Sequence, residues 1–218
     1  MQPSERDTTA GLGKQDAAPV LRVWDLPLRL FHWLLALCFS GAYLTAELED
    51  WRVLHVTLGY TVAGLVLFRL LWGIWGTQHA RFASFVRGPQ AVMAYLRTLL
   101  TGRPAHYTGH NPAGAVAIVL MLALALLLTV AGWLLYTERV GEWMEEVHES
   151  LANLMLLVVF VHIGAVLLSS RLHGENLVRA MLTGMKAGRP DDASQPPRTL
   201  IALLLLAAVL AFWWLQLG

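Results

Sequence analysis

Five long runs of apolar residues follow one another along the chain, and the segments between them carry nearly all the charged residues. A helix rises about 1.5 Å per residue, so about 20 residues cross a hydrocarbon core of ~30 Å. The runs are continuous rather than alternating, which favours helices over barrel strands. We therefore predict five transmembrane helices, from the runs at 30–46, 53–75, 115–136, 151–168 and 200–217.

Composition excludes an ordinary soluble domain. Hydrophobic residues make up 56% of the 218 residues and charged residues only 14%, compared with about 25% charged in a typical globular chain. The predicted fold is an all-α membrane protein, a four-helix transmembrane bundle followed by a fifth, C-terminal transmembrane helix. Its parts are a flexible tail at 1–20, the bundle at 21–187 with helices about 28–47, 53–75, 114–137 and 146–170, a linker at 188–198, and the fifth helix at 199–217.

The basic residues are distributed very unevenly between the two sides of the predicted bundle. Fourteen of the 16 lie in the N-terminal segment, at the inner end of the second helix, or in the two long connections, whereas the opposite side carries two bases among eight acids. By the positive-inside rule, the N-terminus and the long connections are cytoplasmic. We expect a multi-pass protein of the bacterial cytoplasmic (inner) membrane with no nucleic-acid partner.

Four of the eight histidines lie in or at the ends of apolar runs: His32, His55, His148 and His162. A polar ring in hydrocarbon is costly unless its nitrogens have partners, which makes such a histidine a functional candidate; a hydrogen bond to a neighbouring helix is the alternative. His148 and His162 are 14 residues apart, so they share a helix face about 21 Å apart. Chain direction places His55 at the depth of His148, and His32 at the depth of His162.

Two opposed imidazoles at each of two depths are suited to haem with two axial histidines. Zinc fits poorly, because it requires four ligands around one point. The single cysteine, Cys38, excludes a CxxCH attachment motif, so we predict two non-covalent b haems. The small residues Gly59, Gly64, Gly164 and Ala165 would make room for a flat cofactor, or would allow close contact between helices.

Two arginines are candidates for binding haem propionates. Arg69 lies 14 residues after His55 and shares its face, at the depth of the inner haem, where it could pair with a propionate or extend to the lipid headgroups. Arg29, three residues before His32, is the second candidate.

A quinone site is predicted at the inner end of the fourth helix, where polar side chains could hydrogen-bond a quinone carbonyl or simply cap the helix. The residues are Ser169, Ser170, Arg171 and His173. The remaining histidines, His79 and His110 among them, are weaker candidates.

Several stretches together resemble the bacterial cytochrome b561 family, which includes the b-type cytochrome subunit of nickel–iron hydrogenases. They are RVWDLP at 22–27, RLFHW at 29–33, HVTLGY at 55–60, FRLLWG at 68–73, ARF at 80–82, VHE at 147–149 and ENL at 175–177. The resemblance implies a bundle with two haems that passes electrons between a redox partner and the quinone pool. It also implies axial ligation by His32, His55, His148 and His162.

Three functions follow from these features. The first is transmembrane electron transfer between a periplasmic dehydrogenase, hydrogenase or c-type cytochrome and quinone. The second is a stand-alone superoxide:quinone oxidoreductase, which the acidic outer side disfavours because it would repel an anion. The third is a proton or ion transporter that uses intramembrane histidines, which typically has broken helices and inverted repeats that the sequence lacks.

Overall fold

The computed structural model describes residues 19–101, 105, 107–188 and 192–218. Nearly all of the predicted tail and residues 189–191 of the predicted linker lie outside this part of the chain. In chain order the elements are β1 (Val20–Arg22), α1 (Leu26–Thr45), α2 (Arg52–Trp75), α3 (Phe82–Phe85), α4 (Pro89–Leu100), α5 (Pro112–Tyr136), α6 (Trp143–His173), α7 (Leu177–Thr183), β2 (Met185–Ala187) and α8 (Thr199–Leu217).

Five of the described helices are long and apolar enough to cross a membrane: α1, α2, α5, α6 and α8. The all-α membrane fold is therefore confirmed. The connections at 46–51 and 137–142 lie at one end of the bundle, which we call the acidic side. The described residues of the segments at 76–111 and 174–198 lie at the other end, which we call the loop side.

Capping residues extend two of these helices beyond the predicted bounds. Asp25 accepts a hydrogen bond from the Leu28 amide at 2.8 Å, and α1 therefore begins at Leu26. Asn111 accepts one from the Gly114 amide at 2.7 Å at the start of α5. Short polar side chains at these positions satisfy amides that have no partner within the helix. Both helices consequently begin two residues before the predicted positions, 28 and 114.

The transmembrane helices pack in a chain of neighbours, α1 on α2, α2 on α5 and α5 on α6. Buried apolar side chains such as Cys38, Leu65 and Ala125 form the core between the first three of these helices. The fifth transmembrane helix, α8, packs against α1 and α2, and its Trp213 indole donates a hydrogen bond to Thr61 Oγ1 at 2.8 Å. It is therefore joined to the bundle by a polar contact as well as by apolar packing.

The helix α6 is the least covered of the five transmembrane helices. Only 6% of its most apolar 18-residue window is buried, and Met155 is its one buried residue. It packs along α5 and α7, whereas its backbone makes few close approaches to α1 and α2. Tyr43 of α1 donates a hydrogen bond to Asn153 of α6 at 2.7 Å across this gap. Space is therefore left beside α6, where two of the four candidate histidines lie.

On the loop side, the segment just before α1 pairs with the segment that precedes α8, and we call this pairing of β1 with β2 the clasp. Strands β1 and β2 pair antiparallel, with Leu21 opposite Lys186. The carboxylate of Asp25 is fully buried, and it accepts hydrogen bonds from the Trp72 indole and the Thr77 hydroxyl. One carboxylate therefore ties the start of α1 to the end of α2.

Candidate histidine sites in the membrane bundle

The rings of His55 and His148 lie together near the acidic side, with centroids 6.3 Å apart. They come from α2 and α6, two helices that make few close contacts with each other. Nδ1 of His55 lies 2.9 Å from the backbone carbonyl of Ala42. Since a carbonyl can only accept, this bond places the proton on Nδ1 and leaves Nε2 with a free lone pair. A metal-binding histidine is commonly oriented in this way.

The ring of His148 is packed against a glycine of α5. A Cβ added at Gly132 would lie 3.1 Å from Cε1 of the imidazole, so any larger residue there would require the ring to shift by a few tenths of an ångström. Nδ1 of His148 is buried without a well-formed hydrogen bond, beside the backbone carbonyl of Leu128. The site on the acidic side thus has two neighbouring imidazoles, one with its tautomer fixed by the backbone and one packed against α5.

His32 and His162, the second predicted pair, lie nearer the loop side. They are close enough to interact electrostatically, although they lie on different helices, α1 and α6. Nδ1 of His32 is buried and has no hydrogen-bond partner. A buried polar nitrogen without a partner costs free energy, which makes this position suited to a ligand.

The space around these histidines fits a flat apolar group. Gly59 follows His55 by one helical turn on the same face, and a Cβ there would meet nothing within 4 Å. Gly64 and Gly164 are equally open, but they lie on faces opposite their nearest histidines. Among the described residues, no three His, Cys, Asp or Glu side chains converge as a metal site would require. Two-histidine ligation of haem is therefore compatible with the geometry, whereas a four-ligand zinc site is not supported.

Arg69 is the most unusual charged residue of the described chain. Its side chain is only 2% exposed, and neither Nη1 nor Nη2 has a hydrogen-bond partner. The guanidinium carbon lies 4.6 Å from the ring centroid of Phe82 and 5.9 Å from that of Phe85. Aromatic faces stabilise a cation only modestly, so a buried guanidinium in this setting is complementary to an anion that would bind both nitrogens.

Arg29 is engaged differently. Its guanidinium donates hydrogen bonds to the carbonyls of Met181 and Leu182 in α7. Cationic side chains are favourable beside the last carbonyls of a helix. Arg29 would have to give up these hydrogen bonds to contact a cofactor. In this structure its guanidinium holds α7 against α1.

The polar residues at the end of α6 divide into two groups. Nδ1 of His173 lies 2.9 Å from the Ser169 carbonyl and 3.3 Å from its hydroxyl. Ser170 and Arg171 instead line an open groove of about 420 Å³ between α6 and α7, together with Asn176. The groove also has apolar walls, which include Leu167, Val178 and Leu182.

Sequence reasoning gave no role to Tyr95, which α4 brings against the end of α6. Its hydroxyl forms a hydrogen bond with Ser169, and burial raises the pKa of the phenol. The sequence alone does not show which helix end Tyr95 would contact.

Comparison with known proteins agrees with this architecture. The profile of the family described as prokaryotic cytochrome b561 matches residues 23–184. A probable Ni/Fe-hydrogenase B-type cytochrome subunit of Azotobacter chroococcum is 29% identical over 164 residues, covering 62% of this chain and 68% of the relative. One with the same description from Cupriavidus necator is 24% identical over 209 residues, covering 75% and 86%. No solved structure shows a significant match.

The family match covers most of the chain, including all four histidines and Arg69. It agrees with the five apolar helices and with the paired imidazoles between them. The chain therefore belongs to the prokaryotic cytochrome b561 family: it is a multi-pass membrane protein that carries b-type haem and functions in transmembrane electron transfer.

Proposed function

We propose that the chain binds two b haems, one between His55 and His148 near the acidic side and one between His32 and His162 near the loop side. The juxtaposition of His55 with His148 carries the proposal, because the two rings come from helices that scarcely touch. Haem, when bound, supplies a carrier that accepts and releases one electron. The 14-residue spacing of His148 and His162 would separate the two carriers by about 21 Å along α6.

Two imidazoles at each site would occupy both axial positions. No position then remains open for a substrate, which favours electron transfer over oxygen chemistry. The Ala42 carbonyl would keep Nε2 of His55 unprotonated and directed to the metal. Gly59 has no side chain and would leave space for the haem beside His55. Gly132 has none either, and this would allow the His148 ring to approach α5.

Arg69 is proposed to bind a propionate of the loop-side haem. Its two unpartnered nitrogens match the two oxygens of a carboxylate, and the apolar surroundings would strengthen the pairing. A positive charge there would also stabilise the reduced haem, because reduction adds an electron nearby. Arg29 stays a secondary candidate, since its guanidinium already binds the carbonyls of α7.

The asymmetry of the basic residues orients the chain with its N-terminus and loop side in the cytoplasm. The acidic side would then face the periplasm, and its eight carboxylates are all exposed. Such a surface attracts a partner with a basic docking face and repels superoxide. The relatives are described as hydrogenase cytochrome subunits, so a periplasmic hydrogenase is the first candidate partner; another dehydrogenase and a basic c-type cytochrome are the alternatives.

The groove between α6 and α7 is the proposed quinone site. It lies at the loop-side end of α6, the helix that carries His162, and its volume of about 420 Å³ is within the range of ligand pockets. Apolar walls suit the quinone ring and tail, while Arg171 and Asn176 offer donors for a quinone carbonyl. The Ser170 hydroxyl already donates to the Val166 carbonyl, so it would have to exchange that bond to reach a quinone. Ser169 and His173 would act indirectly, since they bond to each other beside the groove.

Paired histidine variants test the two-haem arrangement. We expect His55→Ala and His148→Ala to lose the same haem, and His32→Ala and His162→Ala to lose the other. Redox titration of the purified full chain, with haem content by pyridine haemochrome, distinguishes the two because their potentials differ. Cys38→Ala is a matched control, a buried membrane residue outside both pairs. A wild-type protein with a single haem would refute the proposal, as would a His55 variant lacking the same haem as the His162 variant.

A further inference from the structure

His110 lies at the inner end of a polar chamber on the loop side. The chamber has a volume of about 400 Å³ and is lined mainly by polar residues, among them His79, Arg87, Tyr107 and Asp192. The backbone of Gly109 passes close to the His79 ring, since a Cβ there would lie 3.0 Å from its Nδ1. Two imidazoles from the ends of different transmembrane helices therefore border one water-accessible space.

The imidazole of His110 is held between two aromatic rings and has an unsatisfied nitrogen. Its centroid lies 4.4 Å from that of Trp24 and 4.7 Å from that of Phe85. Its Nδ1 is buried and makes no hydrogen bond. Phe85 also contacts Arg69, so His110 and the unpartnered guanidinium share a neighbour. Two buried side chains near the same ring thus have nitrogens without a hydrogen-bond partner, and the acidic group whose charge acts on Arg69 is Asp25.

The charges around His110 keep its ring neutral. Burial, followed by the positive charge of Arg69 and then by His79, Lys186 and His162, lowers the pKa of His110 to about 3. At neutral pH the ring is therefore uncharged, and in the tautomer with the proton on Nδ1 this buried nitrogen would be a donor. Lys186 is itself paired with Glu175 at 3.3 Å, and Asp192 accepts a hydrogen bond from Thr108.

We infer that Arg69 and His110 together bind one carboxylate, with Nδ1–H of His110 donating to it from the side of the chamber. In this inference, which rests on the proposed function, the carboxylate is a propionate of the loop-side haem. His110 would be a positioning residue with a measurable consequence. Donors to a carboxylate favour its ionised form, so His110 would keep the propionate ionised although only one ring separates it from chamber water.

The test is the pH dependence of the loop-side haem potential in the purified full chain. His110→Phe keeps the aromatic packing but removes the donor. Losing a charge-assisted hydrogen bond should raise the proton affinity of the carboxylate about tenfold to a hundredfold. The variant potential should match wild type at high pH, where the carboxylate is ionised in both, and rise above it as pH falls, with a slope that approaches about 59 mV per tenfold change in proton concentration.

Two further variants separate this role from a purely structural one. His110→Asn retains a donor close to the position of Nδ1–H and should restore the wild-type pH profile. His79→Phe, on the opposite wall of the chamber, should leave the profile unchanged. Infrared redox-difference spectra should show a protonated carboxylic acid band in His110→Phe and not in His110→Asn. Identical pH profiles for wild type, His110→Phe and His110→Asn would overturn the inference.

The source of the carboxylate is tested separately. If it belongs to haem, the wild-type potential does not change when acetate or phosphate in the buffer is varied at constant ionic strength. A potential that follows either concentration would show instead that a soluble anion occupies the site, and would overturn the propionate assignment. The two-haem proposal fails by a different result, an unexpected haem loss in the histidine-to-alanine variants, so the two failures are distinguishable.

Discussion

Replacing Gly132 with alanine tests whether His148 is a haem ligand held against α5. The new Cβ would lie 3.1 Å from Cε1 and 3.6 Å from Nδ1 of the imidazole. Real Cβ contacts are rarely as short as the first distance, so the ring must move by a few tenths of an ångström. Overpacking of this kind costs about 1–3 kcal/mol, whereas replacing glycine with alanine in a helix gains about 1 kcal/mol.

The net loss of free energy, about 0–2 kcal/mol, should weaken binding of the acidic-side haem, because His148 moves and His162 does not. At 1.4 kcal/mol per tenfold change, the affinity of that haem falls by up to about 30-fold. Electron paramagnetic resonance of the oxidised protein should show a shifted low-spin signal for one haem and an unchanged signal for the other. Haem titration of the depleted protein measures the affinity.

Gly164→Ala is the matched control, since a Cβ there would meet nothing within 4 Å. It should leave both haem signals unchanged and stabilise the protein slightly, if at all. The reasoning is refuted if Gly132→Ala leaves both signals and both affinities unchanged. It is equally refuted if the altered haem is the one lost in His162→Ala, because α5 would then support the other site.

Three further predictions follow from the charged and polar residues. Arg69→Gln should lower the potential of the loop-side haem and spare the other, as redox titration would show; equal shifts in both haems, or none in either, would refute the propionate assignment. Arg171→Gln should slow quinone-coupled haem reoxidation without altering the spectrum, whereas Arg97→Gln, on an exposed face of α4, should not; equal rates in both would move the quinone site elsewhere. Reporter fusions after Gly88 should be cytoplasmic and after Glu142 periplasmic, and the reverse result would invert the proposed orientation.

The hydropathy pattern was sufficient to predict the membrane fold, because a bilayer accepts few alternatives to an apolar helix. Helix ends were predicted less well where a cap decides them. The side chains of Asp25 and Asn111 each accept one hydrogen bond at a helix start, and the two helices therefore begin two residues before the predicted positions. The grouping of the histidines followed from chain direction and helical phase alone, which are properties of the sequence.

Contacts between distant loops could not be predicted in this way. Three-residue strands such as β1 and β2 have too short a pattern to be recognised, and their pairing joins residues more than 160 positions apart. His110 lies outside any helix, so helical phase does not indicate its neighbours. The Arg69 guanidinium likewise lies against Phe82 and Phe85, with no hydrogen-bond partner for its two terminal nitrogens. A hydropathy pattern does not show where these two rings pack.

The pairing of β1 with β2 also sets an order of events during synthesis. A ribosome adds about 5–20 residues per second. The residues of β2 are therefore made roughly 8–30 s after those of β1, because more than 160 positions separate the two strands. During that interval α1, α2, α5 and α6 are synthesised and can enter the bilayer, while the edge of β1 stays unpaired. The carbonyl of Arg22 stays without its partner for longer still, because it accepts a hydrogen bond from the amide of Gln195, which is made later. The clasp on the loop side is therefore among the last parts of the molecule to close.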